Sequence, residues 1–346
     1  MKVLCCLLTA VLAGQGDLRL SLLGRHDLTC PVCRQTFTTV VCTQTNTRGG
    51  VDRDLFARAL GPQPEFYRIS TCPACGYSGY RWDFDRDVHL PRDVRQKISG
   101  QPELHLPPGF TPDSDPRELD AADRYDLAIT CYRWRKKSDE ALAWLHLRAS
   151  WIERDKGAVL ARNLRLERVF QYIERWRPTM HPKDNQVDVE MQLAARIAEA
   201  LAAGRFNRYQ RLYVELALAL ILRRHGENRH AWPTLDRLAG LERFSASLRK
   251  GIERMRLSIV AERKHQQEAA RCFERALLAD QIKPAHRGAA CYLLGELYRR
   301  LGGDGDAIRW YDKALDDPAL PADLQTWARR QREWSAAGSP PGNGQR

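Results

Sequence analysis

With 346 residues, 43% of them hydrophobic and 28% charged, the chain has the length for two domains and the apolar content to give each a core, which excludes a wholly disordered polypeptide. The formal net charge of +12 is unevenly spread, because residues 1–116 hold 13 Lys/Arg against 12 Asp/Glu while the remainder holds 42 against 31. A nearly neutral N-terminal part argues against a module that grips phosphates through a dense basic surface, and the surplus reads as a basic solvated face further on, with an acidic partner as the second reading.

Met1-Lys2 precedes an apolar run from Val3 to Leu12. Residues 1–16 therefore read as a short secretory signal, too short to span a bilayer, with an exported, periplasmic mature chain beginning near Gly14 to Asp17 and carrying no transmembrane segment. The alternative is a cytoplasmic protein whose apolar N-terminus is a strand or a misassigned start. Export would place the thiols in an oxidising compartment, where disulfide pairing competes with metal.

Two copies of one motif follow, Cys30-Pro31-Val32-Cys33 and Cys72-Pro73-Ala74-Cys75-Gly76. Thiolates at this spacing sit on one tight turn and point at the same ion, and two such turns complete a tetrahedron. Proline presets one backbone angle of the turn, and glycine after the second Cys lets the chain leave through positive φ. Structural zinc on Cys30, Cys33, Cys72 and Cys75 is the expected cofactor, with iron as the alternative metal and disulfides or a redox pair as the metal-free readings. Four protein ligands close the coordination sphere, so the site offers no position for water or substrate.

The 38 residues between Cys33 and Cys72 exceed the interval of a compact ribbon and imply an insertion. Within it, residues 36–45 read as a strand, Asp52 to Leu60 as a short helix, and Phe66 to Ser70 as the lead into the second turn. The alternation in Tyr80-Arg81-Trp82-Asp83-Phe84 suits a face covering the hairpins. Cys42 reads as a small buried hydrophobe, and His26 and His89 as ordinary histidines beside the four thiols. Asp83, Asp85 and Asp87 resemble the start of a calcium loop, but Val88 and Val94 stand where that loop needs Gly and Glu, which favours the polar face of a strand. No phosphate loop, dinucleotide glycine motif, G-x-S-x-G or H-E-x-x-H occurs, so no enzyme is expected.

Leu104 to Pro116, with four Pro and one Gly in thirteen residues, reads as an extended linker, and Asp115-Pro116 as the start of a helix. Helical spacing then dominates, from Leu119 to Trp134 and from Ala141 to Ile152. Gly157, Gly204, Gly226 and Gly240 read as stops, and Pro178, Pro233, Pro284 and Pro321 as breaks or starts. Leu294-Gly295 and Tyr298, then Ala307, Tyr311 and Ala314, match the spacing of a tetratricopeptide helix pair, in which small residues let the helices approach and aromatics fill the gap. Ala269, Phe273 and Ala276 form a partial earlier copy. The expected fold class is α+β, mostly α: a β-rich four-cysteine module over 17–103, a linker over 104–116, a tetratricopeptide-like helical domain over 117–337 and a disordered tail over 338–346.

The whole pattern resembles a bacterial family known as domain of unknown function 2225. The resemblance rests on CPVC at 30–33, CPACGY at 72–77, the helix from Ala143-Trp144-Leu145 to Ala149-Ser150-Trp151-Ile152-Glu153-Arg154, and LLGELYRRLGGDGDAIRWYDKAL at 293–315. It implies a four-cysteine module joined to a repeat-like helical region and carries no activity with it. The expected function is a non-enzymatic, zinc-stabilised scaffold that captures a protein or peptide, acidic in character, through Tyr292, Glu296 and Arg299 on the concave side of the last repeat. Nucleic-acid binding by the zinc-ribbon-like module is the alternative.

Overall fold

The structure, a computed structural model, describes residues 21–85, 88–99, 106, 108–111, 113–162, 173–179 and 185–338. The leader over 1–16, Asp87 and the tail beyond Gly338 lie outside the described residues, as does part of the linker. Two antiparallel hairpins come first: β1 (Leu22–Thr29) with β2 (Thr36–Gln44), and β3 (Ile69–Thr71) with β4 (Ser78–Tyr80). Each Cys-rich motif forms the tip of one hairpin. Ten helices follow among the described residues: α1 (Arg92–Ser99), α2 (Ala121–Trp134), α3 (Asp139–Arg162), α4 (Gln186–Ala202), α5 (Arg208–Arg224), α6 (Asn228–Ala239), α7 (Ala246–Leu278), α8 (Pro284–Leu301), α9 (Asp304–Leu315) and α10 (Ala322–Ala337). The fold is α+β and mostly α.

Side-chain caps set several helix starts. Asp120 accepts from the Ala122 N–H at 2.9 Å and opens α2, while Asn207 and Gln210 cap α5 reciprocally. Asp115 does not open a helix: its carboxylate accepts from the Arg117 N–H at 2.9 Å in a surface turn. Gly204, Gly226 and Gly240 each follow a helix end as expected, but α3 runs through Gly157 to Arg162 and Pro233 lies inside α6. No helix forms between Asp52 and Leu60. That stretch is an irregular loop with Leu55 at φ 68°, pinned by an isolated bridge between Val51 and Ala57.

One apolar cluster runs through both parts of the chain, taking Phe56, Ile69 and Tyr80 from the insertion and second hairpin together with Tyr125, Leu145, Trp151, Phe273, Tyr292, Leu294 and Tyr311 from the helices. Phe56 stacks on Trp151 with ring centroids 5.3 Å apart. The hairpins are therefore built onto the helices rather than beside them. Among the described residues no helix is long and apolar enough to cross a membrane.

The α8–α9 pair packs through the residues that the spacing singled out. Leu294, Ala307, Tyr311 and Ala314 are fully buried. A methyl group on Gly295 would meet ring carbons of Tyr311 at 2.5 Å, and that ring is tethered by its hydroxyl, which donates to Glu296 at 2.7 Å. Neither partner has room to yield. Gly295→Leu is expected to destabilise the chain by about 3 kcal/mol or more, the upper end of the range for overpacked cores. Urea unfolding followed by circular dichroism measures it, and an unchanged midpoint would contradict this account of the pair.

Candidate metal centre

The two Cys turns share one backbone plan. In the first, the Cys30 N–H donates to the Gln35 carbonyl at 2.9 Å and the Arg34 N–H to the Cys30 carbonyl at 3.0 Å. In the second, the Cys72 N–H donates to the Tyr77 carbonyl at 2.8 Å and the Gly76 N–H to the Cys72 carbonyl at 2.9 Å. Both turns exit through positive φ, at Gly76 (71°) and at Arg34 (66°), so the first turn adopts without glycine the geometry that glycine makes easy in the second.

The hairpins set their tips against each other. All four Sγ atoms of Cys30, Cys33, Cys72 and Cys75 lie within 4.8 Å of one another, and the cross-hairpin contacts Cys30–Cys75 and Cys33–Cys72 are each 3.6 Å. Metal–sulfur bonds of about 2.3 Å arranged tetrahedrally require sulfur–sulfur edges of about 3.8 Å. A disulfide requires about 2.05 Å. The spacing fits a four-thiolate metal site and not two disulfides, and the four residues are free cysteines.

Charge explains why a cation belongs there. Contact with Cys30 holds the Cys72 thiol down at about 2, while contact with Cys72 pushes Cys30 up and contact with Cys30 pushes Cys75 up. Sulfurs this close cannot all carry a negative charge unaided, and a divalent ion removes that penalty. Cys30 and Cys72 are fully buried, whereas Cys33 is exposed, so the centre has one side toward solvent. Four thiolates around one ion would complete a tetrahedral coordination sphere.

The surroundings clamp the second tip onto α2. Phe84 packs edge-on against Phe37 and Tyr77, and the Ser78 N–H points at the Cys131 Sγ at 3.4 Å. Burial pushes the Cys131 thiol up to about 12, so it stays a neutral acceptor and not a fifth ligand. Cys42 also lies apart and donates to the Gln44 carbonyl. His26 is half-buried, His89 is exposed, and neither joins the sulfur cluster. Asp83 is no calcium ligand and lies on no strand: it is buried in a 3-10 turn, where it accepts from the Tyr132 hydroxyl at 2.6 Å, the Tyr80 N–H at 3.0 Å and Arg135 at 2.8 Å.

Tyr292, Glu296 and Arg299 do come together on one side of α8, but all three are buried: the chain's own loop around Asp52-Arg53-Asp54 covers Tyr292, and Glu227 at the start of α6 takes Arg299. Tyr292 is fully buried and its hydroxyl donates to the Arg53 carbonyl at 2.6 Å, Glu296 is fully buried beneath Tyr311, Arg299 and Arg300, and Arg299 forks onto Glu227 at 2.8 and 2.9 Å. The loop is held by a buried ionic cage that the sequence reading missed. Arg154 of α3 bonds Asp54 at 2.5 Å, Asp52 at 3.2 Å and Glu262 of α7 at 2.9 Å. Arg58 pairs with Asp52 at 2.7 Å, and Trp151 donates to Asp54 at 3.1 Å. His225 sets one ring nitrogen 2.9 Å from Asp52 and the other 2.8 Å from Glu190.

No curated protein and no solved structure matches the chain. A family model described as an uncharacterized protein conserved in bacteria, DUF2225, matches residues 23–258 and 260–334, nearly the whole of the described chain, and the protein belongs to that family.

Proposed function

We propose that this protein is a non-enzymatic scaffold in which zinc holds a zinc-ribbon-like module and the tetratricopeptide-like helical region presents a surface to a protein or peptide partner. The observation that carries this reading is the four-sulfur cluster, whose spacing suits a tetrahedral ion and whose ligands leave no open coordination position. All-thiolate donors suit zinc, with iron as the competing ion. Tyr292, Glu296 and Arg299 are buried, Tyr292 against the loop over 51–58 and Arg299 against Glu227, so the partner surface belongs elsewhere on the helices. Nucleic-acid binding by the module has less support, given 13 basic against 12 acidic residues in its part of the chain.

Elemental analysis of protein prepared with zinc present is expected to find one zinc per chain. Affinity capture with the same metal-loaded protein is expected to recover a partner that survives nuclease treatment. Stoichiometric iron, or two disulfides without metal, would overturn the zinc assignment, and recovery abolished by nuclease would overturn the protein partner.

A further inference from the structure

Among the described residues most buried arginines are matched by carboxylates, as at Arg154, Arg58 and Arg299. A different arrangement occurs where the start of α5, the end of α6 and the turn into α7 meet. There an open cavity of about 400 Å³ is lined by Arg208, Arg211, Arg237 and Arg243, with Leu212 and Leu241 between them and Glu215 as the carboxylate. Glu215 is 16% exposed and takes Arg211 on one oxygen and Arg237 on the other, which holds the two guanidiniums side by side. Among the described residues Arg208 and Arg243 have no ion-pair or hydrogen-bond partner. The first turn of α5 carries no acidic residue, so its positive end adds to the field. Residues 201–260 hold 12 Lys/Arg against 5 Asp/Glu, more than half of the surplus charge of the chain.

We propose that this cavity binds a small phosphate ester, with the phosphate held by the forks of Arg208, Arg211, Arg237 and Arg243 and the organic body resting on Leu212 and Leu241. Four guanidiniums around one carboxylate leave a local excess of three positive charges. A single carboxylate ligand satisfies one fork, whereas a phosphate monoester or diphosphate brings two or more charges and enough acceptor oxygens for several. The volume falls within the roughly 300–1,000 Å³ of small-ligand sites. The inference is independent of the metal centre and of the scaffold reading.

Titration calorimetry of the full chain with inorganic pyrophosphate tests it. Saturable binding at one equivalent per chain is expected, weakened at least tenfold in an Arg208→Ala/Arg243→Ala double variant whose circular dichroism is unchanged, because both side chains are exposed and partnerless. The Arg208→Lys/Arg243→Lys variant keeps the charge and loses the fork, and is expected to recover only part of the affinity. Uptake that does not saturate, equal affinity in the alanine variant, or full affinity in the lysine variant would overturn the proposal. So would a short DNA duplex that binds through the same arginines more tightly than pyrophosphate, since that would make the cavity part of a nucleic-acid track.

Discussion

Replacing Cys72 by serine is expected to abolish metal binding and to unfold both hairpins, with the damage reaching the helices. Cys72 is fully buried and its sulfur stands 3.6 Å from that of Cys33, so a hydroxyl there breaks the donor set at a corner closed to solvent. A structural zinc contributes an apparent ~10–16 kcal/mol in small modules, which exceeds the stability of most whole domains. The helices are not spared, because Phe56, Ile69 and Tyr80 belong to their apolar cluster and Asp52 and Asp54 neutralise their buried arginines. Metal content should fall from one equivalent to none, and hydrogen exchange should lose protection over 22–80 and along α3 and α8. Full protection of α3 and α8 alongside unprotected hairpins would show the two parts to be separable.

Arg154→Met is the second large effect. Arg154 is wholly buried and serves Asp52, Asp54 and Glu262 at once, so its removal leaves three carboxylates facing a thinner set of cations. Breaking one partner out of a buried pair costs about 3–5 kcal/mol, and here the loss is shared by three. Combining the change with Asp54→Asn should recover part of it, and a double-mutant cycle measures how much. The same cage predicts acid sensitivity. Burial alone would raise Asp52, but Arg58, His225 and Arg154 outweigh it and hold its carboxyl well below the usual range; Asp54 is held down against burial by Arg154 and Arg300, and Glu262 by Arg223 and Arg154. Carboxyls depressed in this way contribute stability that is present above their unfolded values near about 4 and lost as the pH falls through the folded ones. Melting curves at falling pH should show the Arg154→Met protein losing less in this window than the parent does.

The metal centre was legible because its information is local. Each C-x-x-C lies within a single turn, and two copies specify a tetrahedron without knowledge of the rest of the fold. Gly295 and Tyr311 were legible for a similar reason, since a helix pair with a short turn brings them together at fixed spacing. The loop over 52–60 was misread because local spacing suggested a helix while its hydrogen bonds and charges go to α3, α5 and α8. Helical periodicity placed Tyr292, Glu296 and Arg299 together but gave no sign of what would cover them. One trace was present: Arg154 follows Trp151 and Ile152 on a buried stripe, where an arginine requires carboxylates, and Asp52 and Asp54 stand just before Leu55 and Phe56.

The closure of that loop also orders events during synthesis. Asp54 leaves the ribosome 100 residues before Arg154, and Arg53 leaves 239 residues before Tyr292. At elongation rates of about 5–20 residues per second, the second interval lasts roughly 12–50 seconds. Until α3 has emerged, Asp54 lacks Arg154 and Phe56 lacks Trp151, and until α8 has emerged the Arg53 carbonyl lacks Tyr292, while the Cys-tipped hairpins are already complete. The four thiols are therefore in place long before the loop is closed, and products ending before α8 keep Arg154 with Asp52, Asp54 and Glu262 but leave Asp54 without Arg300 and the Arg53 carbonyl without Tyr292.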